Sequence, residues 1–247
     1  MSSIRTYLLL TMLVMALSCR TAYHPTALHY STYGMDDAQR KDSAVLSMLR
    51  PYADTVTLKM GDVIGDMARL LTKKPVDGNL GHFMADAYLA MARKHFEPRA
   101  DVAFMNLGGI RLPSLEAGKI KRGTIYELMP FDNVMEVIPV RGELLQRFLD
   151  HIAEREACGG VAGITLTIRD KKATEVRIAG KLLDPTATYY MVNSDYVVNG
   201  GGGFTGFRDL TRRQTGYFLR EAILDYCDSF TRERRKIDVA DEKRISL

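Results

Sequence analysis

The sequence has few of the residues from which metal sites and nucleophilic sites are built. It contains three cysteines and five histidines, and they are scattered along the chain. No Cys-x-x-Cys pair, Cys/His cluster or Asp-x-His run is present, so the sequence predicts no metal site. No Ser/His/Asp or Cys/His pattern suggests a catalytic nucleophile. We therefore expect no catalytic residue, no cofactor and no hydrolysis by the isolated chain. The histidines are His24, His29, His82, His95 and His151.

Neither sign of charge dominates the composition. Lys and Arg number 34 against 30 Asp and Glu, which gives a formal net charge of +4. This mild excess helps attract small anions, but no basic stripe with interleaved aromatic residues argues for nucleic acid. With 247 residues, 46% of them hydrophobic, the chain is long enough for one large domain or two small ones with a packed core.

The only long apolar run lies at the N-terminus and is too short for a permanent membrane span. Arg5 precedes the apolar residues 7–17, and Ala16-Leu17-Ser18-Cys19 follows. This pattern resembles a bacterial lipoprotein signal, although its spacing also fits an ordinary secretory signal. We expect residues 1–18 to be the signal, lipid on Cys19 as the sole membrane contact, residues 19–40 as a tether and residues 41–247 as the domain. The expected location is the cell envelope, facing the periplasm or the surface.

Hydrophobic periodicity predicts both helices and strands. Apolar residues recur at helical spacing in some regions and alternate as in strands in others. The predicted helices are residues 44–49, ending before Pro51, then 80–91, 124–129, 144–152 and 215–230. The predicted strands are residues 101–105, 134–140, 164–168, 175–178 and 189–193, with one or two more in 55–71. The mixed charges of residues 232–244 indicate a solvated surface.

The first functional candidate is the loop at residues 106–111, which reads Asn-Leu-Gly-Gly-Ile-Arg after a predicted strand. Two adjacent glycines allow a positive φ and a close backbone approach to a bound group. Asn106 and Arg111 bracket them with amide and guanidinium donors, which suit an oxyanion or a phosphate. An ordinary turn is the alternative interpretation of Gly-Gly at this place.

Four separated motifs together resemble the C-terminal, substrate-binding domain of the 5′-nucleotidase and UDP-sugar hydrolase family. Their order and spacing agree, and the resemblance extends over residues 41–245. The motifs are Asn79-Leu80-Gly81 with Asp86-Ala87, the 106–111 loop, Tyr126-Glu127-Leu128-Met129-Pro130-Phe131-Asp132-Asn133, and Asn193-Ser194-Asp195-Tyr196 before the glycines at 200–203.

This resemblance implies an α+β fold, with mixed β-sheets and packed helices, and a nucleotide site. Phe131 and Tyr196 match the two aromatic residues that sandwich the base, and a core or rim role is the alternative for each. The loop with Asn106, Gly108, Gly109 and Arg111 matches the contacts to the phosphate end of the substrate; for Arg111 a surface salt bridge is the alternative. Two positions depart from the family pattern. Lys74 stands in place of a phosphate-binding arginine, and Gly202 stands in place of an aspartate that accepts hydrogen bonds from ribose. Asn199 or Asp195 could supply the missing acceptor.

The resemblance also implies a missing part. The family's chemistry is done by an N-terminal metallophosphoesterase domain with two metal ions, and we expect no room for it before residue 41. The leading hypothesis is therefore a split enzyme, in which a separately encoded metallophosphatase chain brings divalent metals to the nucleotide held here. The alternative hypothesis is a non-catalytic nucleoside- or nucleotide-binding lipoprotein. His82 replaces an asparagine that often follows Asn-Leu-Gly, and we expect it on the surface of its helix.

Overall fold

A computed structural model describes residues 30–34, 41–239 and 242–247 of the chain. The predicted signal segment lies outside these residues, as does most of the predicted tether. The chain divides into two compact units, Met1–Met48 and Leu49–Leu247. In the first unit, residues 30–34 are exposed and have no regular structure. Within the described ranges, no helix has the length and apolar character that a membrane span needs.

Helices pack on mixed, mainly antiparallel sheets, so the fold is α+β, as predicted. The helices are α1 (Ser43–Gly61), α2 (Asn79–His95), α3 (Arg122–Leu128), α4 (Gly142–Arg155), α5 (Asp195–Val198) and α6 (Leu219–Arg232). The longer strands are β1 (Val63–Met67), β3 (Val102–Asn106), β5 (Gly118–Lys121), β6 (Val134–Arg141), β7 (Cys158–Ala162), β8 (Ile164–Arg169), β9 (Lys172–Ile178), β11 (Thr188–Ser194) and β12 (Arg213–Phe218). Four two-residue strands complete the set: β2 (Leu71–Thr72), β4 (Ser114–Leu115), β10 (Lys181–Leu182) and β13 (Ile245–Ser246).

A five-stranded mixed sheet in the order β12-β6-β11-β3-β7 is the centre of the second unit. Only the β11-β3 pair in it is parallel. Both faces of β3 are buried: Ala103 and Met105 belong to one hydrophobic cluster, and Val102 and Phe104 belong to another. Because successive side chains of a strand point to opposite faces, this central strand separates two cores.

Each core is completed by helices on its side of the sheet. The first contains the apolar face of α2 and residues of α6. The second contains α4 and the four-stranded sheet β10-β9-β8-β13. In the second core, Phe148 of α4 packs against Phe104, Phe204 and Phe207, with ring centroids 4.8–5.2 Å apart.

One prediction near the start of the domain was wrong. Helix α1 continues through Pro51 to Gly61 instead of ending before the proline. Strand β1 lies within residues 55–71, where one or two strands were predicted. A proline inside a helix removes one backbone donor but does not forbid the helix. Here the hydroxyl of Thr55, one helical turn after Pro51, donates to the Pro51 carbonyl oxygen at 3.0 Å.

Two predictions near the C-terminus also need correction. The helix predicted from residue 215 begins at Leu219, because residues up to Phe218 form β12 and pair with β6. The charged segment 232–244 is not only a solvated surface, since Ile237 and Val239 are buried. Arg244 forms a bidentate ion pair with Asp86 at 2.7 and 2.9 Å.

The N-terminal end of α2 approaches the backbone of β7 closely at Gly81. A Cβ atom on Gly81 would lie 1.6 Å from the carbonyl oxygen of Gly159, and one on Gly160 would lie 2.0 Å from the carbonyl carbon of Gly81. Neither contact can be relieved by a side-chain rotation, because the opposing atoms are backbone atoms. The glycine of the Asn79-Leu80-Gly81 motif therefore serves helix-to-sheet packing.

His82 is buried, with 3% of its surface exposed, so its predicted surface position was wrong. Its Nδ1 accepts the Val161 backbone N–H at 3.1 Å, which leaves the proton on Nε2 to be donated to Asp77 Oδ1 at 2.9 Å. The same Asp77 oxygen accepts the backbone N–H groups of Arg244 and Ile245. The neutral imidazole thus links α2, β7 and β13.

Replacing Gly81 by alanine should destabilise the protein by at least about 2 kcal/mol, because the new methyl group overlaps backbone atoms that are fixed in the sheet. Urea denaturation measures the change. Gly61→Ala is the matched control, since a Cβ there meets nothing within 4 Å. Equal stability of Gly81→Ala and the control would contradict the close approach.

Stability should fall with acid through His82. Burial lowers the pKa of His82 from its ordinary value of 6.5, and the hydrogen bond with Asp77 only partly opposes this. The unfolded chain therefore takes up a proton first as the pH falls, so the histidine's contribution is complete above about pH 6.5 and is lost below it. We expect the thermal midpoint to drop between pH 7.5 and 5.5.

His82→Gln should cost about 1–3 kcal/mol at pH 7.5, because it disturbs buried hydrogen bonds, and should flatten the pH dependence. His95→Gln, on the exposed end of the same helix, is the control. An unchanged pH dependence in His82→Gln would exclude His82 as its source.

Candidate functional site

Three chain segments meet at one edge of the five-stranded sheet. Strands β3 and β11 are parallel neighbours, so their carboxyl ends, at Asn106 and Ser194, lie at the same edge. Strand β6 runs antiparallel to β11, with Met135 opposite Ser194, so its first residue, Val134, lies there too. The loop after β3, the segment before β6 and helix α5 after β11 are therefore brought together by the sheet topology.

The loop after β3 forms a single 3₁₀ turn, Leu107–Gly109. Neither Gly108 nor Gly109 is among the described residues with positive φ, so the left-handed backbone anticipated for this pair is absent. Space explains Gly109 instead: a Cβ there would lie 2.5 Å from Met105 Cε and 3.2 Å from Asn106 Oδ1. Gly108 is exposed. Its bare backbone lies on the open side of the turn.

Phe131 and Tyr196 line a common cavity of about 260 Å³, together with Asn106, Gly108, Gly109 and Asn133. Both rings are partly exposed, Phe131 at 37% and Tyr196 at 51%. A buried core position is thus excluded for both side chains. The cavity therefore combines two aromatic side chains, two side-chain amides and the backbone of the glycine turn.

A single carboxylate oxygen connects the segments that carry the two rings. Asp195 Oδ1 accepts hydrogen bonds from Asn133 Nδ2 at 2.8 Å, from the Val134 backbone N–H at 3.2 Å and from the Tyr196 backbone N–H at 2.8 Å. These bonds fix the segment after Phe131 against the first turn of α5. Asp195 is consequently a positioning residue for both rings.

Arg220 of α6 holds the Phe131 segment from the other side. Its guanidinium donates to the Phe131 carbonyl oxygen at 3.0 Å and to Asp132 Oδ1 at 2.7 Å. The guanidinium carbon lies 4.4 Å from the centre of the Tyr126 ring. Arg220 is 9% exposed, and a buried charge with several fixed partners restricts the loop that it bonds.

Arg111 lies at the rim of the cavity. Its guanidinium carbon is 5.8 Å from the centre of the Phe131 ring, and Nη1 is 3.4 Å from the Gly108 carbonyl oxygen. The side chain is exposed and does not line the cavity itself. Its charge is nevertheless available to an anionic group at the open end of a ligand.

Lys74 does not reach this region. It is exposed and lines neither the cavity between the rings nor the cavity described next. The neighbouring Lys73 does reach the loop, since its Nζ donates to the Ile110 carbonyl oxygen at 2.8 Å. The ammonium group next to Arg111 is therefore that of Lys73.

A second cavity, of about 310 Å³, adjoins the first and shares Asn106, Gly108 and Tyr196 with it. Gly202 lines this cavity and has a φ of 77°. Two acceptors were predicted to replace the family's aspartate. Asn199 lines neither cavity, and its Oδ1 accepts from Arg212 at 2.7 Å. Asp195 Oδ1 is engaged as described above, and the replacement of the ribose acceptor by either residue stays a prediction.

The described residues contain no group of three or more His, Cys, Asp or Glu side chains that could hold a metal ion. Cys158 and Cys227 are both buried and free. Burial raises the pKa of the Cys227 thiol to about 12, which keeps it protonated and unreactive at neutral pH.

Several residues that shape the site were not identified from the sequence as such. Arg220 and Lys73 had no motif to mark them. Asn133 belongs to the motif at residues 126–133, but no role was predicted for it. Asp195 was considered only as an acceptor for ribose. His151 and Arg155, which line the second cavity, lie in an amphipathic helix without any functional pattern.

Comparisons with known proteins identify the family of this chain. The family model "5'-nucleotidase, C-terminal domain" matches residues 59–209. A 5′-nucleotidase of Vibrio cholerae is 29% identical over 203 residues, which are 77% of this chain and 35% of that protein. An apyrase of Tabanus yao is 24% identical, covering 82% of this chain and 41% of that protein.

A solved structure gives the same picture. The crystal structure of a 5′-nucleotidase precursor from Thermus thermophilus superposes with a TM-score of 0.69 at 26% identity, covering 81% of this chain and 42% of that one. This chain spans only about a third of the length of its curated relative from Vibrio cholerae. It belongs to the family of 5′-nucleotidase C-terminal domains.

Proposed function

We propose that this chain binds a nucleotide and supplies substrate recognition for hydrolysis of its phosphate ester, together with a separately encoded metallophosphatase. One observation supports the proposal most strongly. Phe131 and Tyr196 line the same cavity, with the Asn106 amide and the backbone of Gly108 beside them. We call this arrangement the clamp.

The clamp has the chemistry that a nucleotide requires. Aromatic faces stack on any base and contribute about 1–3 kcal/mol per base. The amides of Asn106 and Asn133 offer both donors and acceptors to the base or the sugar. At the rim, the Arg111 guanidinium offers the planar donors that match phosphate oxygens.

Catalysis is assigned to a partner for two reasons. The chain matches only about a third of the Vibrio cholerae 5′-nucleotidase, and the described residues contain no cluster of metal ligands. Hydrolysis of a phosphate ester by a water molecule is assisted by two divalent metals in many phosphatases. We propose that the partner holds these metals and that this chain presents the phosphate to them. Lipid on Cys19 would keep the complex at the cell envelope.

Phe131→Ala and Tyr196→Ala should each weaken the binding of AMP by about 5- to 150-fold, because each removes one stacking surface. The double variant should lose measurable binding. Isothermal titration calorimetry with AMP, UMP and adenosine measures the affinities.

Tyr52→Ala is the matched control, since Tyr52 is an aromatic residue with 72% exposure on α1. It should bind AMP like the wild-type protein. Retained affinity in the Phe131→Ala/Tyr196→Ala variant, with intact thermal unfolding, would exclude the clamp as the binding site.

Phosphate release tests the partnership. A metallophosphatase chain from the same genome that lacks a domain of this kind should hydrolyse AMP or a UDP-sugar faster when this chain and a divalent metal are added. The double variant should give no acceleration, because the substrate is no longer presented.

Two outcomes separate the alternatives. Binding of AMP without any acceleration would favour a non-catalytic nucleotide-binding protein and would contradict the split enzyme. Acceleration that survives loss of both rings would show that the partner needs this chain for something other than substrate recognition.

A further inference from the structure

The second cavity lies directly beside the clamp and shares a wall with it. Tyr196, Asn106 and Gly108 border both cavities, so the second cavity adjoins the space in which the clamp would hold a ligand. The second cavity, of about 310 Å³, lies at the lower end of the range for small-molecule sites. It is therefore large enough for one additional group of a ligand.

The charge of this cavity is positive. Arg155, the last residue of α4, lines it, and no acidic side chain does. The Arg155 side chain is exposed and forms no ion pair or hydrogen bond with any residue in the described ranges. An arginine that borders a cavity without a carboxylate partner has all its guanidinium donors free for a ligand.

The Arg155 guanidinium lies close to the glycine loop. A Cβ on Gly203 would be 2.9 Å from Arg155 Nη2, so the guanidinium rests against the backbone of this glycine. His151 fixes the loop from the same helix, because its Nε2 donates to the Gly202 carbonyl oxygen at 2.9 Å. Since that proton is engaged, His151 is a positioning residue for the loop rather than a ligand contact.

The floor of the cavity strengthens the effect of the charge. It is formed by apolar side chains, among them Phe104, Phe148 and Phe204. Next to such a surface an ion pair is screened less than on an open protein surface. The cavity therefore favours an anion at its mouth, and a neutral sugar hydroxyl would find no carboxylate there to accept its proton.

We propose that this cavity is a second anion subsite, which takes a phosphate attached to a secondary hydroxyl of the sugar of the nucleotide in the clamp. The ligand class is then a nucleoside bisphosphate, with one phosphate towards Arg111 and the other towards Arg155. This inference rests on the proposed function, since it requires a nucleotide in the clamp. It adds that Arg155 distinguishes bisphosphates from simple mononucleotides.

The test compares AMP with adenosine 3′,5′-bisphosphate, adenosine 2′,5′-bisphosphate and ADP by calorimetry. We expect one or both bisphosphates to bind about 10- to 100-fold more tightly than AMP, as a charge-assisted hydrogen bond allows. ADP, whose two phosphates are at one end, should not show this gain. The two bisphosphates distinguish the hydroxyl that carries the second phosphate.

Variants locate the gain. Arg155→Ala should bring the bisphosphate affinity down to that of AMP. Arg147→Ala is the matched control, because this substitution removes the same charge from the same helix. Arg147 is exposed and lines neither cavity. Gly202→Asp should also abolish the gain by placing a carboxylate beside Arg155. A Cβ on Gly202 meets nothing within 4 Å, and aspartate tolerates a positive φ better than most residues.

Four results would overturn the proposal or its basis. Equal affinity for AMP and both bisphosphates in the wild-type protein excludes the subsite but leaves the clamp intact. A gain that survives Arg155→Ala, or one that Arg147→Ala removes equally, also excludes it. Failure of UMP and of every adenine nucleotide to bind contradicts the clamp itself, and with it the proposed function.

Discussion

The geometry of the site depends on the carboxylate of Asp195. One oxygen accepts a side-chain amide from the segment before β6 and two backbone N–H groups, one from β6 and one from α5. Phe131 and Tyr196 are 65 positions apart in the sequence, and each stands on a short, partly exposed segment. Without a shared acceptor, ordering the two segments independently would cost conformational entropy twice. The carboxylate couples them, so a single arrangement of loops holds both rings.

The sheet explains why such a coupling can occur at this place. A parallel pair, β3 and β11, has both carboxyl ends at one edge, and an antiparallel neighbour, β6, contributes its amino end to the same edge. Loops that leave these ends are adjacent in space although they are distant in sequence. Ligand sites commonly lie at the carboxyl ends of parallel strands for this reason. The two faces of the sheet are covered by separate cores, which leaves the edge as the accessible part.

The sequence predicts the regular parts of this fold well and the connections poorly. The apolar periodicity of residues 80–91 and 144–152 reflects burial against a core, and the structure has helices α2 and α4 there. Pro51 does not end α1, because a single lost donor does not outweigh a helix that continues on both sides. His82 and Arg244 were expected at the surface from their polarity. Their burial depends on partners such as Asp77 and Asp86, and local sequence contains no information about such distant pairing.

The same limit applies to the site. Asn106, Phe131 and Tyr196 could be identified from motifs. Arg155 could not, because it is one of several arginines in the sequence and belongs to no motif. Arg155 differs from the other arginines in two ways: it borders the second cavity, and its guanidinium rests on the backbone of Gly203. A glycine-rich segment thus has two effects at once. It keeps one side of Tyr196 uncrowded, since a Cβ on Gly201 would lie 2.4 Å from that ring, and it admits a cation to the adjoining cavity. Tyr196 therefore borders two cavities, the one between the two rings of the clamp and the one with Arg155 at its mouth. A ligand that fills both cavities must fit around this one side chain.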